Sequence, residues 1–221
     1  MSLDLALLQE KAPEIASGAL ITTAIWILTS LTGAALGLVV ALLRRYAPKP
    51  VGIGLRVYVE VVRGSPFLVQ LFLLYYGGPF IGLTLDSIPA AILAMTLYSA
   101  AYYSEIFRGG FEAVPKGHIE AATCVGFTQM QTVRRIILPE MTVLVLPSLV
   151  NMAILMLKET AILSIIAVPE LTLVVGAIGS QSYAFVEAML ILALVYWALV
   201  EICGRLGRFA ESRLSKFRFA A

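Results

Sequence analysis

The sequence predicts an all-α, polytopic membrane protein of about five transmembrane helices, and three observations carry that expectation. Of the 221 residues, 60% are hydrophobic and only 14% charged, with a mean hydropathy of +0.91; ordinary globular chains hold roughly 45–50% apolar and about 25% charged residues. The charges are segregated, so that long stretches contain none. Most of the basic residues fall in three short regions. With Gly 17, Pro 10 and Cys 2, collagen, low-complexity and disulfide-scaffold classes are excluded, and a net charge of +2 is too small to imply a nucleic-acid partner.

A hydrocarbon core about 30 Å thick needs roughly 20 apolar helical residues. Ile15 to Leu43 holds no Asp, Glu, Lys or Arg and forms the first expected span. Gly64 to Leu85 and Ser87 to Ser104 are also free of charge and give the second and third. Met141 to Pro169, interrupted only by Lys158 and Glu159, gives the fourth. Tyr183 to Cys203, with Glu187 near one end and Glu201 near the other, gives the fifth. An odd count places the termini on opposite sides.

Orientation follows from Lys and Arg in the short loops. Arg44, Arg45, Lys49, Arg56 and Arg63 follow span one; Arg108, Lys116, Arg134 and Arg135 lie between spans three and four; Arg205, Arg208, Arg213, Lys216 and Arg218 fill the tail. Together they are 14 of the 16 basic residues, the others being Lys11 and Lys158. Gly77–Ser87 and Pro169–Glu187 contain none. The N-terminus is therefore expected outside and the C-terminus in the cytoplasm. Asp4, Glu10 and Glu14 against Lys11 give the wrong charge for a secretory signal, so span one is expected to remain as an anchor. Residues 1–221 are expected to form a single transmembrane domain.

One inner segment, about 108–140, is too long to be a mere connector. Gly109, Gly110, Pro115, Gly117, Gly126 and Pro139 punctuate it. Ile119–Val125 is Ala-rich and predicts about two helical turns, with Gly126 suited to a C-terminal stop. Such a short helix between two breaks is either a docking element or an amphipathic surface helix with no partner; in the docking case small Ala121 and Ala122 would permit close approach, Glu120 would cap the helix or pair with a basic group, and Pro139 would turn the chain before span four.

Glu120-Ala121-Ala122, then three residues to Gly126, nine more to Ile136, and one to Leu138-Pro139 reproduces the EAA loop pattern. Arg63-Gly64-Ser65-Pro66-Phe67, Glu105-Ile106-Phe107-Arg108-Gly109-Gly110 and Lys158-Glu159-Thr160 support it. Over nearly its whole length the sequence resembles the inner-membrane permeases of ABC importers, in the polar amino-acid uptake branch. The resemblance implies that Glu120, Ala121, Ala122, Gly126, Ile136, Leu138 and Pro139 form a coupling element seated in a groove of a separate ATPase subunit. It further implies two ATPase copies that bind ATP and Mg, a second permease that is identical or paralogous, a periplasmic solute-binding protein, an amino-acid-like substrate and a bacterial inner-membrane location. Where the family carries Gln and an aromatic before the Glu, this chain has His118 and Ile119. Where relatives read Lys-Asp-Thr-Ser-Leu, it reads Lys-Glu-Thr-Ala-Ile.

Charges in hydrocarbon cost at least about 2.5–3.5 kcal/mol each, so Lys158 and Glu159 should face the bundle interior or water. They are expected to line a substrate path, Glu159 attracting an ammonium or guanidinium and Lys158 a carboxylate. The alternative is pairing with Arg63 or Glu60 of another helix. Thr160, Asn151, Gln70 and Arg63 are further candidates for the path, or for interhelical contacts. Arg56, Glu60 and Arg63 form a charged stripe entering span two, before a Gly-Ser-Pro break. Gly33 and Gly37 have helix-packing spacing.

The sequence holds no GxxxxGKS or GxxxxGKT, no HExxH and no GxSxG, and has a single His, so no catalytic residue, metal site or cofactor of its own is expected. Cys124 and Cys203 fit neither a disulfide pair nor a zinc site. A stand-alone secondary carrier or channel is the alternative function, although such carriers want inverted repeats or paired broken helices; a recruiting anchor would leave Lys158 and Glu159 unexplained.

Overall fold

In a computed structural model, the described residues 5–215 are helical with short connections; Lys216 and Arg218 of the basic tail lie outside them. Helix α1 (Leu5–Tyr46) contains the expected first span and ends on Arg44 and Arg45, whose charges complement the exposed carbonyls of its last turn. At roughly 60 Å it exceeds a bilayer core. Helix α4 (Ser87–Ala113) packs along it and is the most enclosed element, burying Ala90, Ala91, Ala94, Met95, Tyr98, Ala100, Ala101, Tyr103, Phe107 and Phe111. The two backbones meet closely at Gly33 and Gly37. A Cβ on Gly33 would overlap the Ser99 hydroxyl, and one on Gly37 would sit 2.7 Å from Tyr103 Cβ and 2.9 Å from the Ala100 carbonyl oxygen. The small-residue spacing thus serves packing within the chain.

The second expected span is not a straight run from Gly64 to Leu85. Helix α2 (Lys49–Gly64) and helix α3 (Phe67–Gly77) meet at 108° across Ser65-Pro66, and a 3-10 turn (Gly78–Ile81) extends α3. Pro66 removes a helical donor and biases Ser65 toward extended backbone, observed at φ −125°, ψ 149°. Gln70 then holds the corner: its Nε2 donates to the carbonyls of Val62 and Ser65 and to the Ser65 hydroxyl at 2.7–3.1 Å.

Helix α5 (Lys116–Cys124) is the short inner helix. After it come α6 (Gln129–Thr132), a π-helical turn (Val133–Ile137) and α7 (Leu138–Glu159). Contrary to expectation, the chain does not change direction at Pro139, and Gln129–Ile166 runs as one helical rod. Proline in a helix lacks a donor and collides with the carbonyl four residues back. The wider π turn, closed by Leu138 N–H to the Val133 carbonyl, accommodates both defects. A 3-10 turn (Thr160–Ile166) follows α7.

The connection expected at Pro169–Glu187 instead folds into helix α8 (Leu171–Gln181), which packs on α1 and on the final helix α9 (Phe185–Ser215). By length and apolarity, Glu10–Tyr46, Gln129–Ile166 and Phe185–Arg213 are each sufficient to cross a membrane, and the bent α2–α3 pair qualifies when taken together. Helix α4 has the length, roughly 40 Å, but its apolar content is diluted by the serines and tyrosines it turns toward its neighbours.

Candidate functional site

The inner segment is ordered by local backbone chemistry. Gly126 adopts φ +80°, a left-handed conformation that costs a side-chain-bearing residue roughly 1–2 kcal/mol. Phe127 N–H reaches the Ala122 carbonyl and Gly126 N–H the Thr123 carbonyl, both at 3.0 Å, which is the paired closure of a Schellman stop. Thr128 then caps α6 reciprocally with Gln131. Two side-chain contacts fasten α5 and its exit to the rod behind it. His118 Nδ1 lies 2.8 Å from Glu140 Oε1, and the Arg135 guanidinium sits 5.7 Å from the Phe127 ring centre.

The EAA residues divide between two faces. Ala122 is buried, contrary to the expectation that both alanines present themselves to a partner, because its side of α5 turns against the chain's own core together with Ile119. Ile136 and Leu138 are half-buried; Glu120, Ala121, Gly126 and Pro139 are exposed. Pro115 starts α5 without a side-chain cap, so Glu120 does not serve as one. Beside it, Val125 and Met130 are 73% and 74% exposed. The outward face thus combines small and apolar residues with the carboxylate of Glu120 and the free, exposed thiol of Cys124, and is shaped for contact.

At the other end of the rod, Lys158 and Glu159 open on different neighbours. Lys158 is exposed in a shallow hollow with Ala161 of the following turn and Tyr196, Trp197 and Val200 of α9. Glu159 turns toward α4, where it lies within electrostatic reach of Tyr98; its Oε2 is buried and has no hydrogen-bond partner among the described residues. Neither pairs with Arg63 or Glu60. Arg63 instead lies 5.4 Å from the Tyr102 ring centre and 3.6 Å from Glu105 Oε2. The Tyr98 hydroxyl donates to that of Tyr102 at 3.2 Å. Arg63, Tyr102 and Tyr98 thus form a polar-aromatic row along α4, with Glu159 within electrostatic reach of its Tyr98 end. Asn151 is exposed in a separate hollow with Ile106, Pro147, Ser148 and Leu155. Thr160 is buried and bonded to the Leu157 carbonyl and to the Tyr196 hydroxyl.

Sequence reasoning missed the tyrosines of this row, whose i,i+4 spacing was its only signal, and two carboxylate centres. Glu105 is held by Arg44, Arg63 and Arg108, while Arg108 also grips Glu112. Burial alone would raise the Glu105 carboxyl, but hydrogen bonds from Arg108 and Arg44 outweigh it and hold it below the usual carboxylate range. Glu170 is fully buried at the head of α8. It accepts from Leu173 N–H at 2.8 Å, from the Tyr196 hydroxyl at 3.1 Å and from Thr22 at 3.5 Å, and Thr22 in turn accepts from Leu171 N–H at 3.0 Å. Tyr196 also meets Thr160 and Thr172, so one network ties α1, the turn after α7, α8 and α9. Its sequence signal was an acidic residue directly before an apolar helical run. Among the described residues no three His, Cys, Asp or Glu side chains gather as metal ligands.

Residues 33–216 match the model of the family described as binding-protein-dependent transport system inner membrane component. The chain is 40% identical over 164 residues to the probable amino-acid ABC transporter permease protein PatM of Vibrio harveyi, covering 73% of this chain and 74% of that one. It is 33% identical over 215 residues to the arginine transport system permease protein ArtQ of Bacillus subtilis, covering 97% and 98% respectively. Among solved structures, an amino acid ABC transporter with histidines superposes at a TM-score of 0.90 with 34% identity, over 96% of this chain and all of the other. The inward-facing MetNI methionine ABC transporter shares the fold, with a TM-score of 0.79 at 21% identity over 93% of this chain and 98% of the other.

Proposed function

The chain belongs to the family of binding-protein-dependent transport-system inner-membrane components, and from that premise we propose what it carries and how its residues move it. It is a non-catalytic, membrane-embedded permease subunit of an ABC importer, working with an ATPase and a second permease. That membership displaces the stand-alone carrier. The substrate class is a polar amino acid or a close relative, on the strength of the amino-acid transport systems to which the chain is similar.

The observation that carries the mechanism is the continuity of Gln129–Ile166, a rod of roughly 55 Å. Its base is pinned to α5 by His118 and Glu140; Lys158 and Glu159 sit near its far end. The outward face of α5, with Glu120 and Ala121, together with Val125 at its exit and Met130 on α6, seats in the ATPase, which binds ATP and Mg. When two ATPase copies close, they displace α5, the rod tilts as a unit, and the row of Glu159, Tyr98, Tyr102 and Arg63 is exposed to solute released by a periplasmic binding protein. Hydrolysis reverses the movement. With the five crossings, outside N-terminus and cytoplasmic basic loops expected from the sequence, in a bacterial inner membrane, α5 falls on the side of the motor.

Glu159 supplies the anionic contact for the ammonium or guanidinium of the solute, and the tyrosine rings offer it π faces. Arg63 lies at the opposite end of the row; Lys158, on the α9 side, meets a carboxylate only when that hollow is closed by a neighbour. Asn151 lies apart in its own hollow, while Thr160 and Gln70 are engaged in holding the turn after α7 and the α2–α3 corner. The test is uptake by the reconstituted importer carrying Glu159→Gln, with arginine and glutamine as competing solutes. Arginine uptake should fall roughly tenfold relative to glutamine, the equivalent of about 1.4 kcal/mol. An unchanged ratio removes Glu159 from the path.

A further inference from the structure

A cavity of about 290 Å³ opens between the C-terminal ends of α1 and α4 and the first half of α2, lined by Ala41, Arg44, Arg45, Gly52, Arg56, Arg108, Phe111 and Glu112. Four guanidiniums border it against one carboxylate. The wider cluster includes Arg63, Glu60 and Glu105, so five arginines face three carboxylates. Two positive charges remain uncompensated. Arg45 in particular has no carboxylate partner among the described residues: its Nε donates to the Tyr46 hydroxyl, and its guanidinium lies over the Tyr46 and Phe111 rings.

The flank of the cavity is equally specific. Helix α2 carries three rows. Leu55, Tyr58, Val59 and Val62 pack inward on Val40, Ala101 and Leu36. Lys49, Arg56, Glu60 and Arg63 recur at helical spacing along one outer edge. Ile53, Val57 and Val61, at successive i,i+4 positions, form the other outer edge and are 63%, 53% and 61% exposed. An exposed apolar row beside a charged row is the pattern of a helix lying in the membrane interface, with the apolar edge among acyl chains and the charged edge among headgroups. The 108° angle to α3 suits this placement, since α3 then runs along the membrane normal while α2 lies across it.

We propose that this cavity binds the phosphate of an anionic phospholipid of the cytoplasmic leaflet, with an acyl chain laid along Ile53, Val57 and Val61. The phosphodiester carries the negative charge that the arginine excess lacks, and planar guanidiniums accommodate its oxygens as paired acceptors. Free inorganic phosphate would satisfy the charge but has nothing to place on the apolar row. None of the residues lining the cavity belongs to the row assigned to the solute; Arg63, in the wider cluster, is the one residue the two share.

The test is native mass spectrometry of the detergent-purified importer complex, incubated with an equimolar mixture of phosphatidylglycerol and phosphatidylcholine. The intact complex should retain phosphatidylglycerol preferentially. Arg45→Gln combined with Arg56→Gln should lower that preference by about fivefold for each arginine removed. Arg205→Gln, in an exposed i,i+4 pair on α9 away from the cavity, should leave it unchanged. Gly52→Leu, which fills the cavity without removing charge, should produce the same loss as the double variant. Full retention of phosphatidylglycerol by a folded double variant or by Gly52→Leu would overturn the assignment. So would equal displacement of the lipid by millimolar inorganic phosphate, which would identify a site for small free anions.

Discussion

The imidazole of His118 stands 2.8 Å from the carboxylate of Glu140, joining the short helix α5 to the base of the rod that ends near Lys158 and Glu159. Without that contact, α5 would be held to the rod chiefly by loop backbone, the burial of Ile119 and Ala122, and the Arg135–Phe127 stack. Both partners are partly exposed, so the pair contributes on the scale of surface interactions, up to about 1 kcal/mol. Its importance is positional, because it fixes the direction in which displacement of α5 is passed on.

His118→Ala should therefore leave the complex assembled and its ATPase active, while lowering solute imported per ATP hydrolysed by about two- to fivefold. The ratio of uptake to phosphate release in proteoliposomes measures this. If the ratio stays at the wild-type value while the complex remains intact, the pair does not transmit movement.

Close approach of α1 to α4 sets the second expectation. Gly37→Leu drives a side chain into Tyr103 and the Ala100 carbonyl, an overpacking that costs about 1–3 kcal/mol or more. Gly54→Ala on α2, where a Cβ meets nothing within 4 Å, should be neutral or slightly stabilising. Thermal unfolding of the two purified variants should separate them by several degrees in that order; equal midpoints would contradict the packing described for α1 and α4.

A third expectation concerns acid. The Glu105 carboxyl is held below its unfolded value by Arg108 and Arg44 despite its burial. A depressed carboxylate contributes stability that is fully present above the ordinary carboxylate range and is lost as pH falls through the lowered folded value. Wild-type protein should thus lose thermal stability on acidification from pH 6 to pH 3.5, and Glu105→Gln should show a shallower loss from a lower starting point. Parallel acid profiles for the two proteins would sink this role for Glu105.

Much of this architecture is legible in the chain because it depends on local chemistry. Charge-free runs mark the long helices, since no compact alternative buries so much apolar surface. The end of α5 at Gly126 follows from the conformational freedom of a single residue, and the observed φ of +80° is the one glycine tolerates best. What was hidden depends on groups distant in sequence. The 108° corner at Ser65-Pro66 is stabilised by Gln70 reaching back to Val62 and Ser65. Helix α8 is held by Glu170 bonding to Tyr196 and Thr22, and Thr22 lies 148 residues away. Pro139 read as a bend because its spacing cannot reveal the π turn that absorbs it. Ala121 and Ala122 are equivalent as letters, and only the docking of α5 distinguishes the outward one from the inward one.

The most direct measurement is solute uptake by the full importer in proteoliposomes when the order of residues 119–125 is scrambled with Gly126 retained. Uptake should fall to background while the permease still inserts and the solute receptor still docks outside, because α5 can no longer move the rod. Uptake at the wild-type rate through a complex with that helix scrambled would contradict it.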